Sequence, residues 1–259
     1  MTAPRLAVLE PVGPEDAPVL LLGPSLGTST RLWADAAADL RRDHRVIAWD
    51  LPGHGRSPAA EAPFAIEDLA DALAAMLDDL GVDACHYAGD SIGGAVGLAL
   101  MLRRPERVRS AALLCTGAKI GTAESWAERA ATVRSTGTAS LVVPSAQRWF
   151  APGSIEREPE ACGELLNALR DADDESYAKC CEALAAFDAR ERLGEIDRPV
   201  LAVWGTHDAV TGEASLREIA EGVRRGRLVE VEDAAHLVPA EQPARTAALL
   251  REHVAGAAR

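Results

Sequence analysis

The sequence lacks the cysteine and histidine patterns of disulfide-rich and metal-binding proteins. Its five cysteines are odd in number and show no C-x-x-C spacing, which argues against a disulfide framework and against a zinc site. The six histidines are scattered, with no pair at the spacing of helical metal ligands. We therefore expect reduced, mostly buried thiols in a cytoplasmic protein without a metal site.

Positive charge and long apolar runs are also scarce. Lysine and arginine number 27 against 40 aspartates and glutamates, which gives a formal net charge of −13. Nucleic acids and anionic membranes attract lysine and arginine, so we expect neither as a partner. No basic and apolar leader and no apolar run of about 18 residues is present, which predicts a soluble, unexported protein. The 259 residues, 48% of them hydrophobic, suit one α/β domain with an insertion.

Residues 86–95, HYAGDSIGGA, have the pattern of a serine nucleophile on a sharp strand-to-helix turn. Ser91 has glycine two positions before it and two positions after it, at Gly89 and Gly93, as in G-x-S-x-G. Larger side chains at these flanks would collide across the turn, whose nucleophile holds strained backbone angles. Asp90 is the alternative nucleophile, but a turn centred there would have a bulky isoleucine at one flank. The pattern therefore favours Ser91.

Short apolar runs alternate with helical patterns along the chain, which predicts a mostly parallel sheet flanked by helices. Apolar residues between positions 66 and 80 repeat at three and four, and Gly81 closes this helix. Besides the strand that leads into Ser91, buried strands are predicted at residues 17–23, 45–49, 110–115, 199–205 and 228–231.

The interval between the predicted strands at 110–115 and 199–205 is too long for one crossover helix. It carries helical patterns and several aromatic residues. We therefore predict a helical cap over residues 118–195, inserted into a core formed by residues 1–117 and 196–259. Such a cap would cover the carboxyl end of the sheet, where ligands bind in open α/β folds.

An aspartate and a histidine follow two of the later strands, at the same edge of the predicted sheet. Asp208 and His236 each lie just past a strand end. With Ser91 they fill the order Ser, Asp, His that is typical of the α/β-hydrolase fold. In such a triad neutral imidazole takes the serine proton, and the carboxylate holds the imidazole tautomer. Asp233 competes for the carboxylate role but lies in the same loop as the histidine, so Asp208 is favoured.

Two backbone N–H groups are predicted to form an oxyanion hole. In the α/β-hydrolase fold one N–H comes from a loop after an early strand, and the other comes from the residue after the nucleophile. These positions are Leu26, within the loop PSLGT at residues 24–28, and Ile92. His54, in the following loop, precedes the nucleophile and is interpreted as structural.

Beyond the fold, several stretches resemble the 3-oxoadipate enol-lactonases of aromatic-compound degradation. The sheet motifs are shared with many hydrolases, whereas the stretches in the predicted cap are specific, because the cap shapes the pocket. The resemblance covers essentially the whole chain and is carried by residues 23–28 (GPSLGT), 118–126 (AKIGTAESW), 147–150 (QRWF), 177–184 (YAKCCEAL) and 234–237 (AAHL).

This resemblance implies a serine hydrolase that opens 3-oxoadipate enol-lactone to 3-oxoadipate through an acyl-enzyme, in the β-ketoadipate pathway of aromatic catabolism. Its small-molecule substrate is a lactone or ester, and no cofactor is implied. Carried over position by position, the resemblance implies a triad of Ser91, Asp208 and His236, with Leu26 and Ile92 as oxyanion donors.

For substrate binding we expect Ser25, Trp149 and Arg148. The lactone carries a free carboxylate, which an acidic protein must bind through local positive charge or hydrogen-bond donors. Arg148 adjoins Trp149 in the predicted cap, and arginine matches the geometry of a carboxylate with two parallel hydrogen bonds. Arg134 and Lys119 are weaker candidates for this contact.

Two other classes of function stay open from the sequence. The nearer is another serine hydrolase of the same fold, such as a general carboxylesterase, a perhydrolase or haloperoxidase type, or a carbon–carbon hydrolase. The more distant is a ligand receptor that does not turn over. The sequence does not specify the oligomeric state. A carboxylate at Asp90 is expected to raise the pKa of the catalytic histidine, if the two groups lie close together.

Overall fold

The computed structural model describes residues 4–257, which form a parallel β-sheet flanked by helices. The strands in this range are β1 (Val19–Gly23), β2 (Arg45–Ala48), β3 (Cys85–Asp90), β4 (Val108–Leu114), β5 (Val200–Gly205) and β6 (Gly226–Val231). Their spatial order is β2-β1-β3-β4-β5-β6, and every neighbouring pair is parallel. The predicted α/β class with a mostly parallel sheet is confirmed.

The central strands are buried, as their nearly uninterrupted apolar sequences require. All of β3 is buried, and β4 exposes only Arg109. The edge strand β6 is more exposed. The opposite edge strand, β2, is covered by the N-terminal segment through antiparallel bridges from Val8 to Trp49 and from Val12 to Val46. This cover protects an edge whose backbone groups would otherwise be open to pairing.

Eleven α-helices lie in the part of the chain that the structure describes, and none of them is both long and apolar enough to cross a bilayer. In α2 the buried residues recur at three and four along one face, which confirms the predicted amphipathic helix. The helices are α1 (Ala34–Leu40), α2 (Ile66–Asp79), α3 (Ile92–Arg103), α4 (Ala123–Thr136), α5 (Val142–Trp149), α6 (Ser154–Arg157), α7 (Pro159–Asp171), α8 (Asp174–Ala186), α9 (Glu213–Gly222), α10 (Val238–Glu241) and α11 (Pro243–Ala257).

Helices α4 to α8 occupy the chain between β4 and β5, where the sequence predicted an inserted cap. Within this group α4 packs along α8. The division into a cap of residues 118–195 and a core of residues 1–117 and 196–259 stays a prediction. Residues 1–3 and 258–259 of that core lie outside the described residues. We refer below to residues 118–195 as the cap segment.

The carboxyl ends of the parallel strands share one edge of the sheet, and this edge collects the polar side chains. Strand β3 ends at Asp90, β5 ends at Gly205 and β6 ends at Val231. Because the three strands run in the same direction, the loops that follow them emerge on the same side. Residues far apart in the chain are thereby brought together.

Two helix glycines provide a matched test of packing. A Cβ at Gly97 on α3 would lie 2.6 Å from Cε1 of the buried Tyr87, whereas a Cβ at Gly163 on α7 would meet no atom within 4 Å. We expect Gly97→Ala to lower the free energy of unfolding by about 1–3 kcal/mol through overpacking. Gly163→Ala should raise it by about 0.5–1 kcal/mol, because alanine loses less backbone entropy than glycine. Urea unfolding of both variants measures the difference, and a change of the same sign in both would contradict it.

Candidate active site

Ser91 lies on the tight turn between β3 and α3, with φ 52° and ψ −117°. A positive φ is strained for residues other than glycine. The flanking glycines allow the close approach that this turn requires. A Cβ at Gly89 would lie 2.4 Å from the backbone of Gly93, and a Cβ at Gly93 would lie 2.6 Å from the carbonyl oxygen of Pro24. The G-x-S-x-G pattern therefore has a steric basis in this fold.

Hydrogen bonds from neighbouring elements hold the strained backbone of Ser91. Its N–H donates to the carbonyl of Leu114 at 2.9 Å, and its carbonyl accepts the hydroxyl proton of Thr116 at 2.6 Å. Leu114 is the last residue of β4, so the adjacent strand supports the turn. The Tyr87 hydroxyl donates to the carbonyl of Gly93 at 2.7 Å, which anchors the first turn of α3 to the sheet.

The side chain of His236, in the loop after β6, lies against Ser91. Its Nε2 is 3.0 Å from Oγ of Ser91, and its Nδ1 is 3.2 Å from each carboxylate oxygen of Asp208. Only 4% of the His236 side chain and none of the Asp208 side chain is exposed. The structure thus brings together the three predicted residues, in the order of contacts that proton transfer from serine to histidine requires.

Further donors surround the Asp208 carboxylate. The N–H groups of Val210 and Thr211 donate to Oδ1 at 2.8 and 3.2 Å, and the Thr211 hydroxyl donates to Oδ2 at 2.9 Å. Burial alone would raise the pKa of Asp208, but His236 and the N–H donors lower it to about 2. Thr211 was not among the predicted site residues. A hydroxyl residue three positions after an aspartate is a common local turn pattern, and it is the signal that could have identified Thr211.

Asp233, the competing carboxylate, is exposed on a turn with φ 53°. Its carbonyl oxygen accepts a hydrogen bond from the Gln242 side chain at 3.3 Å. His54, interpreted from sequence as structural, is buried and stacks on Tyr177 with ring centroids 5.9 Å apart. Burial lowers the pKa of His54 to about 4, so this imidazole is held neutral.

Leu26 and Ile92 lie on two segments that are joined beside Ser91. The N–H of Gly93 donates to the carbonyl of Pro24 at 3.0 Å, which ties the loop after β1 to the first turn of α3. Ile92 is the first residue of α3, so its N–H has no partner within the helix. Within residues 4–257, neither this N–H nor that of Leu26 donates to a protein acceptor.

A cavity of about 450 Å³ opens between the cap segment and the aspartate loop. Val210, whose N–H binds the carboxylate of Asp208, lines this cavity together with Trp126, Arg129 and Arg148. The exposed Glu128 also borders it. Arg148, which the sequence predicted as a substrate-binding residue, therefore lines a cavity that reaches the loop of Asp208.

Arg129 was not predicted from the sequence, and two aromatic rings fix its position. Its guanidinium carbon lies 5.8 Å from the ring centroid of Trp126 and 5.7 Å from that of Tyr177, and its Nε donates to the Tyr177 hydroxyl at 2.9 Å. Within residues 4–257, neither Arg129 nor Arg148 forms an ion pair with a carboxylate. Burial and the positive charge of Arg129 lower the pKa of Arg148. The spacing W-x-x-R, one turn of helix, is the sequence signal for Arg129.

The weaker candidates for a substrate carboxylate are occupied by protein acids. Arg134 pairs with Glu175 at 2.8 Å and with Glu182 at 2.6 Å. Lys119 lies 3.4 Å from a carboxylate oxygen of Asp188. Such neutralised cations attract a further anion weakly, because their charge is already compensated.

Trp149 is buried next to the loop that carries Leu26. A Cβ at Gly27 would lie 3.4 Å from the edge of the Trp149 ring. The ring also packs edge-on against Phe150, with centroids 6.4 Å apart. Trp149 thus lies where the cap segment contacts the predicted oxyanion loop.

The donor atoms of Cys115, Asp208 and His236 lie within 4.8 Å of one another. This group does not suit a metal ion, because Asp208 and His236 are hydrogen-bonded to each other. Burial, together with the nearby Asp90 and Asp208, also raises the pKa of Cys115 well above its ordinary value, which disfavours the thiolate that metals bind. All five cysteines are buried with free thiols.

Comparison with known proteins identifies the family. A sequence profile of the α/β-hydrolase fold matches residues 18–136. The 3-oxoadipate enol-lactonase 2 of Acinetobacter baylyi is 38% identical over 231 residues, which are 89% of this chain and 86% of that protein. The crystal structure of the enol-lactonase from Burkholderia xenovorans has a TM-score of 0.93 at 33% identity, over 96% of each chain. The chain belongs to the α/β-hydrolase family.

The predicted α/β-hydrolase fold and the resemblance to 3-oxoadipate enol-lactonases are confirmed, and this α/β-hydrolase is an enzyme. Its relatives have more than one substrate class. A pimeloyl-[acyl-carrier protein] methyl ester esterase of Neisseria meningitidis is 32% identical over 89% of this chain and 91% of that protein. Overall similarity therefore defines the hydrolase family, whereas the pocket must define the substrate.

Asp90, which precedes Ser91 in this α/β-hydrolase, is a fully buried carboxyl group. Ser25 is buried beside it, yet neither carboxyl oxygen of Asp90 has a hydrogen-bond partner within residues 4–257. Burial, followed by the nearby Asp208 and Glu241, raises the pKa of Asp90 well above its ordinary value. The uncharged acid is thereby favoured, whereas the effect on His236 that the sequence suggested belongs to the charged form of Asp90.

This raised pKa predicts how Asp90→Asn changes stability with pH. Since the folded state binds the Asp90 proton more tightly than the unfolded state, its stabilising effect is complete below the unfolded pKa near 3.8 and is lost as pH rises through the folded pKa. Asparagine has a similar shape but does not titrate. The stability of Asp90→Asn relative to wild type should therefore increase from about pH 5 to about pH 8, by at most about 1.4 kcal/mol per pH unit.

Urea unfolding at several pH values measures this dependence. Asp83→Asn, at an exposed position before β3, is the matched control and should change little relative to wild type across the range. A difference between Asp90→Asn and wild type that does not vary with pH would show that Asp90 has the same protonation in both states.

Proposed function

We propose that this hydrolase opens 3-oxoadipate enol-lactone to 3-oxoadipate through an acyl-enzyme on Ser91, in the catabolism of aromatic compounds. The line of contacts from Ser91 through His236 to Asp208 carries the chemistry. The substrate is supported by the relatives named as enol-lactonases and by the two unpaired arginines in the adjacent cavity. Ester or lactone hydrolysis is the broader activity that these relatives share.

Acylation begins with proton transfer from Ser91. Nε2 of His236 accepts the proton as Oγ attacks the lactone carbonyl carbon. The ionised Asp208 holds Nδ1–H and stabilises the imidazolium that forms. Because His236 and the N–H groups of Val210 and Thr211 keep Asp208 charged, it performs this role at neutral pH.

The tetrahedral intermediate places negative charge on the former carbonyl oxygen. We assign Leu26 and Ile92 as the N–H donors to this oxyanion, since both donors are free of protein acceptors. Collapse breaks the bond between the acyl carbon and the ring oxygen. The leaving group is an enolate, which is more stable than an ordinary alkoxide, and it remains attached to the acyl chain because the substrate is a ring.

Deacylation uses the same residues, with water in place of Ser91 as the attacking group. The enolate takes the proton that Nε2 of His236 received from Ser91 and becomes the ketone, which leaves the imidazole neutral and draws the reaction forward. His236 then accepts a proton from water, whose oxygen attacks the acyl carbon and releases the acid together with free Ser91. One water is consumed for each lactone, and no cofactor or metal enters the steps.

Recognition of the substrate carboxylate is assigned to the arginines of the cavity. The net charge of −13 repels an anionic lactone at long range, so a local site must compensate. Arg148 and Arg129 border the same cavity, and their unpaired charges repel each other until an anion binds between them. Trp149 is proposed as a wall of the pocket. Ser25 lies buried beside Asp90, so its contribution would be to shape the loop that carries Leu26.

We expect Ser91→Ala to lower kcat for the enol-lactone by about 10⁴- to 10⁶-fold, because the acyl-enzyme can no longer form. Asp208→Asn should lower kcat by about 10³- to 10⁴-fold, since the imidazole loses its charged partner. Asp233→Asn is the matched control and should retain wild-type activity. Loss of absorbance as the purified protein opens the lactone gives these rates, and a greater loss in Asp233→Asn than in Asp208→Asn would reverse the assignment.

Arg148→Met should raise KM for the enol-lactone and leave KM for a small neutral aryl ester nearly unchanged. A charge-assisted hydrogen bond contributes about 1.5–3 kcal/mol, which corresponds to about 10- to 150-fold in KM. Arg134→Met removes an arginine that is already paired with acids and serves as the control for loss of positive charge. Equal effects of Arg148→Met on both substrates would remove Arg148 as the carboxylate contact.

The same assays separate the proposed function from its alternatives. Wild-type protein that prefers the neutral ester to the lactone in kcat/KM would be a general carboxylesterase. Protein that binds the lactone and releases product no more than once would be a receptor. Either result would overturn the enol-lactonase assignment.

A further inference from the structure

Glu241, at the end of α10, accepts three hydrogen bonds from two separate parts of the chain. Its Oε2 accepts from the N–H of Ala235 at 2.7 Å. Its Oε1 accepts from the N–H of Ala151 at 2.6 Å and from the hydroxyl of Ser154 at 2.8 Å. Ala235 immediately precedes the histidine of the site, whereas Ala151 and Ser154 belong to the cap segment. One carboxylate therefore joins the histidine loop to the cap segment.

The joined segments both carry residues of the proposed site. A backbone hydrogen bond from Leu237 to the carbonyl of Trp149, at 3.2 Å, lies beside the Glu241 contacts. The ring of Trp149 in turn reaches Gly27, next to the oxyanion donor Leu26. Glu241 thus binds backbone groups close to both site residues. Ala235 is adjacent to His236, and Ala151 is two positions after Trp149.

The chemistry of this junction requires a carboxylate. Each of its three partners is a donor, and an ionised carboxylate is the side chain that only accepts. Glutamine has one oxygen and one NH₂ group, so it would place its own donor against the N–H of Ala235 or against those of the cap segment. Two donors that face each other have no acceptor between them and repel each other. The histidine loop and the cap segment would then move apart.

We propose that Glu241 is a positioning residue that aligns His236 with Ser91 by clamping the histidine loop to the cap segment. The inference rests on the proposed nucleophilic role of Ser91, but not on the identity of the lactone. Within residues 4–257 Glu241 forms no hydrogen bond with Ser91 or His236, and acts through the backbone of Ala235. Its effect should therefore fall on the reactivity of the serine rather than on binding.

The test is the rate at which a fluorophosphonate probe labels the serine of the intact protein, measured by mass spectrometry with Ser91→Ala as the blank. We expect Glu241→Gln to be labelled about 10- to 100-fold more slowly than wild type, because a small displacement of the base greatly lowers reactivity. For a neutral aryl ester, kcat should fall by a similar factor while KM changes little. Glu252→Gln, on the exposed side of α11, should match wild type in all three measurements.

Thermal unfolding of each variant distinguishes positioning from loss of fold. Labelling of Glu241→Gln at the rate of Glu252→Gln, or slowing that matches only its unfolded fraction, would overturn the proposal. If Glu241→Gln does not fold, Ser154→Ala decides, since it removes one donor and leaves both backbone contacts. Ser154→Ala should slow labelling by about two- to tenfold, which corresponds to the net free energy of one hydrogen bond. An unchanged labelling rate would overturn the proposal.

The enol-lactonase assignment is tested separately in the same samples. Wild-type protein that is labelled rapidly but does not open the lactone would contradict that assignment and leave the effect of Glu241→Gln on labelling as support for the positioning role. Labelling that persists in Ser91→Ala would overturn both, because the base would then have no serine to activate.

Discussion

The left-handed backbone at Ser91 is the constraint on which the rest of the site depends. A serine keeps such a conformation only when its surroundings remove the alternatives. Here the carbonyl of Leu114 and the hydroxyl of Thr116 hold both sides of the residue, and the missing side chains of Gly89 and Gly93 let the turn close. The same turn begins α3. It therefore places the Ser91 hydroxyl beside His236 and also leaves the N–H of Ile92 without an acceptor in the helix.

Burial determines the electrostatics around this turn. Away from water, the contacts of His236 with Ser91 and Asp208 are stronger than they would be at the surface. His236 and several N–H donors lower the pKa of Asp208 and keep it charged, whereas burial raises the pKa of Asp90 and favours its uncharged form. Asp208 and Asp90 thus favour opposite protonation states although they lie close together. In its uncharged form Asp90 adds no negative charge beside Ser91.

The features that depend on local sequence were predictable. Buried parallel strands need apolar runs, so every strand and the mostly parallel sheet followed from the sequence. The turn at Ser91 needs glycine at fixed positions, which made this turn recognisable in the sequence. The order of Ser91, Asp208 and His236 along the chain then restricted the fold to one family, and the stretches in the cap segment related it to enol-lactonases.

The features that depend on distances between remote residues needed the tertiary structure. Sequence alone predicted Asp208 over Asp233 by position in the chain, but only the packed loops show which carboxylate reaches the imidazole. The sequence does not show which of Arg134 and Arg148 is paired with an acid. In the structure Arg134 forms ion pairs with two glutamates of α8, whereas Arg148 has no ion-pair partner within residues 4–257. Glu241 carries no motif at all. Its proposed role rests on three donors that chain folding brings to one carboxylate, and no local sequence pattern encodes these contacts.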